Sequence, residues 1–251
     1  KNFIIIHDDN YDINFLTSYK PLLDILNNLH SKNGIVTQNY GTLQNIIVKN
    51  IIKFGNNIGF VLFDINIIDI NNNRIPGIVF SRNNSVAILV TSIFKGIEYC
   101  LLVVQPRTST GLFYSEVVAG IIENHDIKGN IIRELKEEAN ISINYDSLNY
   151  LGNTMPSCGA CNEVIELYHT YVPDLVPLVK NANNNIFGNT SEAEITKRTV
   201  IMLKDILTFT NDSKSHLCYY YYKSNLKLRI NMFLCYYLDL IFNFLKSFKI
   251  Y

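Results

Sequence analysis

An α+β (mixed α/β) fold is predicted by three observations. Short Ile- and Val-rich runs bounded by turn residues recur along most of the chain. A single strongly marked acidic helix, around residues 126–140, interrupts them. The composition, 48% hydrophobic and 18% charged over 251 residues, is that of a folded chain with one or two domains and a substantial core.

The elements are justified in chain order. Residues 11–30 carry Leu16, Tyr19, Leu22, Leu23, Leu26 and Leu29 near a 3.6-residue period, which predicts a helix. "TLQNIIVKNIIKFG" and "NIGFVLFDINIIDI" read as extended runs, and "NNNRIPG" as a turn. "SVAILVTSI" and "YCLLVVQPR" read as buried strands joined by a hairpin at Phe94–Glu98. "LFYSEVVAG" reads as one strand leading to the acidic helix, and "LNYLGNTM" and "EVIELYHTYV" as strands separated by the loop "PSCGACN". "VKNANNNIFGNTSEAE" is a polar, Asn-rich insertion, "ITKRTVIML" a strand, and "DILTF" the start of a terminal helical region. Three segments follow: an N-terminal helix and β-sheet region (1–75), a core domain (76–225) and an apolar tail (226–251). The tail "LRINMFLCYYLDLIFNFLKSFKIY" reads as a membrane-surface helix or as sequence carried past a splice boundary, ahead of a packed core element.

Charge and cysteine content narrow the function classes. Twenty-two basic residues balance 22 acidic ones. Such a chain lacks the broad positive field of a nucleic-acid or anionic-membrane surface. Five cysteines, an odd number, argue against a disulfide framework, and Cys158 and Cys161 form a lone CxxC without the second pair a structural zinc site needs. They read as part of a reduced intracellular loop. No run of 18 or more uncharged apolar residues is present; 229–249 comes nearest, interrupted by Asp239 and Lys246. The expected location is intracellular, cytoplasmic first. The chain starts at Lys1, which leaves a targeting peptide and an organelle open. The five histidines form no metal-spaced pair and receive no role.

The acidic helix is the informative element. Glu134, Glu137 and Glu138 crowd one face, and like charges at that spacing cost roughly 0.2–0.5 kcal/mol per pair. Ile132, Leu135 and Ala139 fall on another face and can pack on strands. Carboxylates in this number suit a hard divalent cation, Mg²⁺ or Mn²⁺, that also meets phosphates. An ordinary solvated charged face is the bland alternative. Asp126 suits an N-cap, and Asn140 suits the left-handed residue that ends the helix.

"RELKEE", preceded by "AG" and followed by "ANI", resembles the Nudix box, G-x5-E-x7-R-E-U-x-E-E-x-G-U with U aliphatic. Arg133, Glu134, Leu135, Glu137, Glu138 and Ile141 match it. The stretch from Gly120 to Arg133 is one residue short, the first box Glu is absent with His125 or Asp126 nearby, and Asn140 stands for the closing Gly. The flanks "QPRTSTGLFYSEVVAG" and "PSCGACNE" are similar to the Q-x-R…E-x-P-A-G and S-P-G-x-x-x-E stretches of ADP-sugar and ADP-ribose pyrophosphatases, with Val118 in place of Pro. "FGNNIGFVLFDINIIDINNNRIPGIVFSR" is similar to the N-terminal region of ADP-sugar diphosphatases. The resemblance runs over about residues 15–225.

The resemblance implies a Nudix α/β/α sandwich with a mixed sheet, preceded by an N-terminal antiparallel sheet that packs across a homodimer. It implies Mg²⁺- or Mn²⁺-dependent hydrolysis of a nucleoside-diphosphate sugar, ADP-glucose or ADP-ribose, to AMP and a sugar phosphate. Glu134 and Glu138 would be primary metal ligands, with Glu137 beside them and the Ala119 carbonyl completing the set. Arg82, Arg107, Glu116, Arg133 and Glu163 would meet or orient the substrate, and Glu192 or Glu194, on a later loop, would act as general base. Two alternatives stay open: a Nudix fold that binds nucleotide-sugars with little turnover, and a Nudix hydrolase for another nucleoside diphosphate derivative.

Overall fold

The computed structural model describes residues 4–6, 16–55, 57–123, 126–181, 186–188 and 195–247. The chain forms two compact units, Lys1–Asn84 with Met155–Ile165, and Ser85–Thr154 with Glu166–Tyr251.

The first unit contains β1 (Ile4–Ile6), α1 (Lys20–Leu29), β2 (Gly41–Phe54), β3 (Asn57–Asp69), β4 (Arg74–Ile75) and β5 (Ile78–Ser81). Its sheet runs β1-β2-β3-β4, with β5 also paired to β3. The N-terminal helix starts at Lys20, later than the period suggests. Pro21 occupies its first turn, where a missing N–H costs no helical bond. Residues 11–15 of the expected helix lie outside the described residues. The apolar period still sets the packing: Leu22 and Leu29 join Tyr19, Ile46, Phe63 and Ile65 in one buried cluster. The "NNNRIPG" turn is fixed by Asp69, whose Oδ1 accepts the N–H groups of Asn71 and Asn73 at 2.9 and 2.7 Å, with Asn72 left-handed at φ 68°. Gly77 is required there because a Cβ would lie 1.8 Å from the Ile65 carbonyl oxygen. The segment 155–165 returns to this unit: Phe80 N–H donates to the Ala160 carbonyl at 2.8 Å.

The second unit is built on β6 (Ser85–Phe94), β7 (Ile97–Arg107), β8 (Leu112–Glu116), β9 (Val118–Ile121), α2 (Ile127–Ala139), β10 (Asn149–Thr154), β11 (Ile165–Tyr171), α3 (Leu175–Lys180), β12 (Ile186–Phe187) and β13 (Thr196–Met202). Three helices close the chain: α4 (Ile206–Phe209), α5 (Ser213–Ser224) and α6 (Leu226–Ser247). The main path through the sheet is β10-β11-β6-β7-β13-β12, with β8 on β7 and β9 on β6. β6 is buried over nine of its ten residues, as a central strand of near-continuous apolar sequence should be. Its cluster includes Val86, Ile88, Val90, Leu101 and Val103 with Ile131, Leu135 and Ala139 of α2.

Two expectations are corrected here. "LFYSEVVAG" is two strands with different partners, since β8 pairs with β7 while β9 pairs with β6. At the joint, Val117 N–H leaves the ladder and donates to Ser215 Oγ at 3.0 Å. The Asn-rich insertion is not all irregular: its first residues, Val179 and Lys180, end α3, which fills its inner face with Leu175, Val176 and Val179, and Ile186–Phe187 within it form β12, paired with β13. Among the described residues, no helix is long and apolar enough to cross a membrane.

Candidate functional site

The site begins with the ends of α2. Asp126 caps its N-terminus by accepting the Gly129 N–H at 3.0 Å, and Asn140 ends it in the left-handed conformation, φ 49° and ψ 40°. The C-terminal carbonyls are satisfied from outside the helix. Thr196 Oγ1 donates to the Glu138 carbonyl at 2.8 Å, Arg198 Nη1 to Ala139 at 2.8 Å and Gly188 N–H to Glu137 at 3.1 Å. These bonds fix the rotation of α2 about its own axis, and with it the face that carries the carboxylates.

Glu134 and Glu138 turn inward, at 7% and 3% exposure, onto the same side as Ile131 and Leu135. Glu138 meets β9 and β7: Ala119 N–H donates to its Oε2 at 3.4 Å and Gln105 Nε2 to its Oε1 at 3.5 Å. Glu134 lies flat on the next residue of β9, where a Cβ on Gly120 would come within 2.0 Å of its Oε1. Only glycine admits that approach. Glu137 is turned outward, its side chain one-third exposed. Arg133 ties the group together, 2.9 Å from Glu134, 3.0 Å from Glu137 and 3.7 Å from Glu123. Burial alone would lower the Arg133 pKa, but Glu134, Glu123 and Glu137 outweigh it and raise it.

A second charged group adjoins the first. Arg107 at the end of β7 grips Glu116 of β8 with two bonds, 2.7 and 2.9 Å. Lys214 of α5 reaches the same carboxylate at 3.0 Å and Asp212 at 2.7 Å. Burial would raise Glu116, but Arg107 and Lys214 hold it below its ordinary range. Arg107 is raised, chiefly by its bond to Glu116, and the Glu138 charge contributes in the same direction. The Glu138 and Arg107 groups therefore share one field.

In the first unit, Arg82 and Glu163 form a pair at 3.6 Å, and the Arg82 guanidinium lies 5.3 Å from the centre of the Phe60 ring. That unit also holds a cavity of about 670 Å³. Asp24 is the single charged residue in its lining, which is otherwise apolar side chains, amides and the thiols of Cys158 and Cys161. Such walls offer nothing to neutralise a diphosphate. Glu192, Glu194 and His125 lie outside the described residues.

Thus the expected residues fall into three sets: Ala119, Arg133, Glu134, Glu137 and Glu138 around α2; Arg107 with Glu116 beside them; and Arg82 with Glu163 in the first unit. Gln105 and Lys214 were missed. Gln105 stands in the "QPR" that carried the resemblance, whereas Lys214 lies 98 residues from Glu116 and has no local signal. For a divalent cation, the donor chemistry fits: two buried carboxylates beside the backbone of residues 119 and 120 offer the hard oxygens that Mg²⁺ or Mn²⁺ prefers. Among the described residues, no three Asp, Glu, His or Cys side chains converge as a ready-made metal cage, and the Arg133 cation fills the balancing role.

No protein-family model matches the sequence. Over 201 residues, 75% of the chain, it is 27% identical to Nudix hydrolase 14, chloroplastic, of Arabidopsis thaliana, and the chain spans 65% of that protein's length. Among solved structures, the crystal structure of an ADP compounds hydrolase superposes with a TM-score of 0.52 at 15% identity, covering 74% of this chain and 94% of that one. The mixed α and β architecture is the fold of that hydrolase. The chain is thus similar in sequence to a Nudix hydrolase and in fold to an ADP compounds hydrolase.

Proposed function

We propose that the chain hydrolyses the diphosphate bond of an ADP-sugar, ADP-ribose or ADP-glucose, to AMP and a sugar phosphate. The observation that carries this reading is the burial of Glu134 and Glu138 against Ala119 and Gly120, beside Arg107. The name of the structural neighbour, an ADP compounds hydrolase, supports the adenosine diphosphate class.

Glu134 and Glu138 would hold Mg²⁺ or Mn²⁺, with Glu137 and the Ala119 carbonyl. A bound dication supplies neutralisation of the phosphates and a more acidic water. The chain's own residues do the rest. The Arg107 fork, locked by Glu116, offers its remaining N–H donors to phosphate oxygens in a fixed plane. Arg133 orients Glu134 and Glu137. Arg82 with Glu163 would meet the nucleotide or sugar, and Glu192 or Glu194 would take the proton of the attacking water. In the overall reaction one P–O bond of the bridge breaks, water oxygen bonds to that phosphorus, and its proton passes to the base.

AMP release from ADP-ribose and ADP-glucose in the presence of Mg²⁺ tests the proposal. Glu138→Gln should retain the thermal midpoint and lose turnover by at least ~10²-fold. Turnover retained in that variant would remove the metal assignment. One observation favours a second reading, binding without efficient turnover: the loop before the box is one residue short. Saturable binding of ADP-ribose with no AMP formed would establish it.

A further inference from the structure

We infer that the outward face of α6 is a self-association surface, at which two copies of this chain pair through a helix–helix seam. One side of α6 is accounted for. Leu228 and Met232 are buried, at 9% and 3% exposure, and Tyr236, one turn further on, accepts the Gly96 N–H at 3.1 Å through its hydroxyl. Met232 sulfur accepts the hydroxyls of Thr91 and Tyr222, at 3.3 and 3.1 Å. These three residues, spaced by four, mark the side that packs on the second unit.

The opposite side is the apolar one. At about 100° per residue, Ile230, Leu234, Tyr237, Ile241 and Phe244 all lie within about 60° of the direction opposite Met232. Their exposures are 49%, 56%, 58%, 55% and 62%. The polar residues of the second half, Asp239, Asn243 and Lys246, fall on the Met232 side instead, exposed like Leu240 and Phe242 near them, while Lys227 stands on the stripe side at the start of the helix. An ordinary surface helix has the reverse arrangement, apolar inward and polar outward.

Three features make a second copy the occupant. The spacing of the five residues is 4-3-4-3, the a/d alternation that lets one helix seat on another. With Leu226 and Leu238, exposed to 64% and 63% on the same side, the stripe offers on the order of 100 Å² per residue and roughly 700 Å² in all. A standard interface takes about 800 Å² from each partner. Beyond Lys227 at its start the stripe carries no charge, and the chain has a formal net charge of zero, so two copies paired along it from Ile230 onward meet without like-charge opposition. A lipid surface fits less well. The basic residues of α6, Lys227, Arg229 and Lys246, stand at its two ends, and between Arg229 and Lys246 the only charge is the acidic Asp239, whereas a surface helix lines the length of its polar face with Lys and Arg.

Sedimentation of the full chain over ~1–100 µM, beside Leu234→Asp/Ile241→Asp and the control Asn231→Asp, decides it. Both seam positions are exposed, so the double variant should keep the thermal midpoint. The expected result is an associated unmodified chain, an assembly mass halved or an association weakened by at least tenfold in the double variant, and no change in the control. An unmodified chain that stays monomeric at 100 µM overturns the proposal. So does an assembly whose mass and affinity survive the double substitution. Co-sedimentation of a monomeric chain with phosphatidylcholine–phosphatidylserine vesicles would assign the same face to lipid and likewise overturn it.

Discussion

His169 shows what single residues decide in this fold. Its ring is 1% exposed, with Nε2 2.7 Å from Thr91 Oγ1 and the ring stacked 4.8 Å from that of Tyr222. Burial pushes its pKa down from 6.5 to about 3, so the folded chain holds it neutral. The unfolded chain binds the proton that the fold refuses, so stability falls as pH drops below about 6.5 and keeps falling toward 3. Between pH 7.5 and pH 5 this loss is about 2 kcal/mol. Urea midpoints of His169→Gln should show a correspondingly shallower pH slope over that range; an unchanged slope would assign the acid sensitivity to other groups. Glu116, held below its ordinary range, adds a further loss only at lower pH, through its own folded pKa. Gly120 decides a different matter. In Gly120→Ala the new Cβ would lie 2.0, 2.1 and 2.4 Å from Oε1, Cδ and Cγ of the buried Glu134 side chain, which Arg133 also holds, so the carboxylate is forced off β9: stability should fall by about 1–3 kcal/mol and ADP-ribose turnover by at least ~10-fold. A large fall in thermal midpoint with turnover intact would contradict that.

At the scale of elements, α2 depends on bonds from both near and far in sequence. Its buried C-terminal carbonyl at Glu138 takes the Thr196 hydroxyl. Thr196→Val keeps the shape and leaves that carbonyl short of a donor, which should cost about 1–3 kcal/mol in urea unfolding. A neutral result would mean another donor replaces it. Asn140→Gly relieves a left-handed residue and should move stability by no more than ~1 kcal/mol, because the Lys136–Asn140 bond at 2.7 Å goes with it. The same division explains what the sequence made legible. Asp126, Asn140 and the inward glutamates were readable because capping and helical period act within a few residues. The break of "LFYSEVVAG" at Val117 was not, because it comes from a change of strand partner and a serine 98 residues away. Thr196, Arg198 and Lys214 share that property: each meets the site across 58 or more residues. The α3 helix was missed for another reason. Its six residues are too few to show a period.

For the whole molecule, the consequence of two compact units is two separable cores. Phe63, with 0% exposure, packs among Ile46, Val61 and Ile65 in the first. Leu135, also at 0%, packs among Ile88, Val103 and Ile131 in the second. The first unit is assembled from two stretches of chain, because Met155–Ile165 returns to it by way of Phe80 and Ala160. A return of this kind has no signature in local sequence pattern, which reads neighbours and not distant partners. Each cluster closes within its own unit, so a cavity cut in one removes contacts only there. Phe63→Ala should lower the opening free energy of the slowest-exchanging amides of β2 and β3 by about 3–5 kcal/mol, and Leu135→Ala those of α2 and β6 by about 2–5 kcal/mol. In each variant the amides of the other unit should move by less than ~0.5 kcal/mol. Equal shifts in both sets, read by native-state hydrogen exchange, would show the chain opening as one cooperative body and would remove the basis for treating the cores as independent.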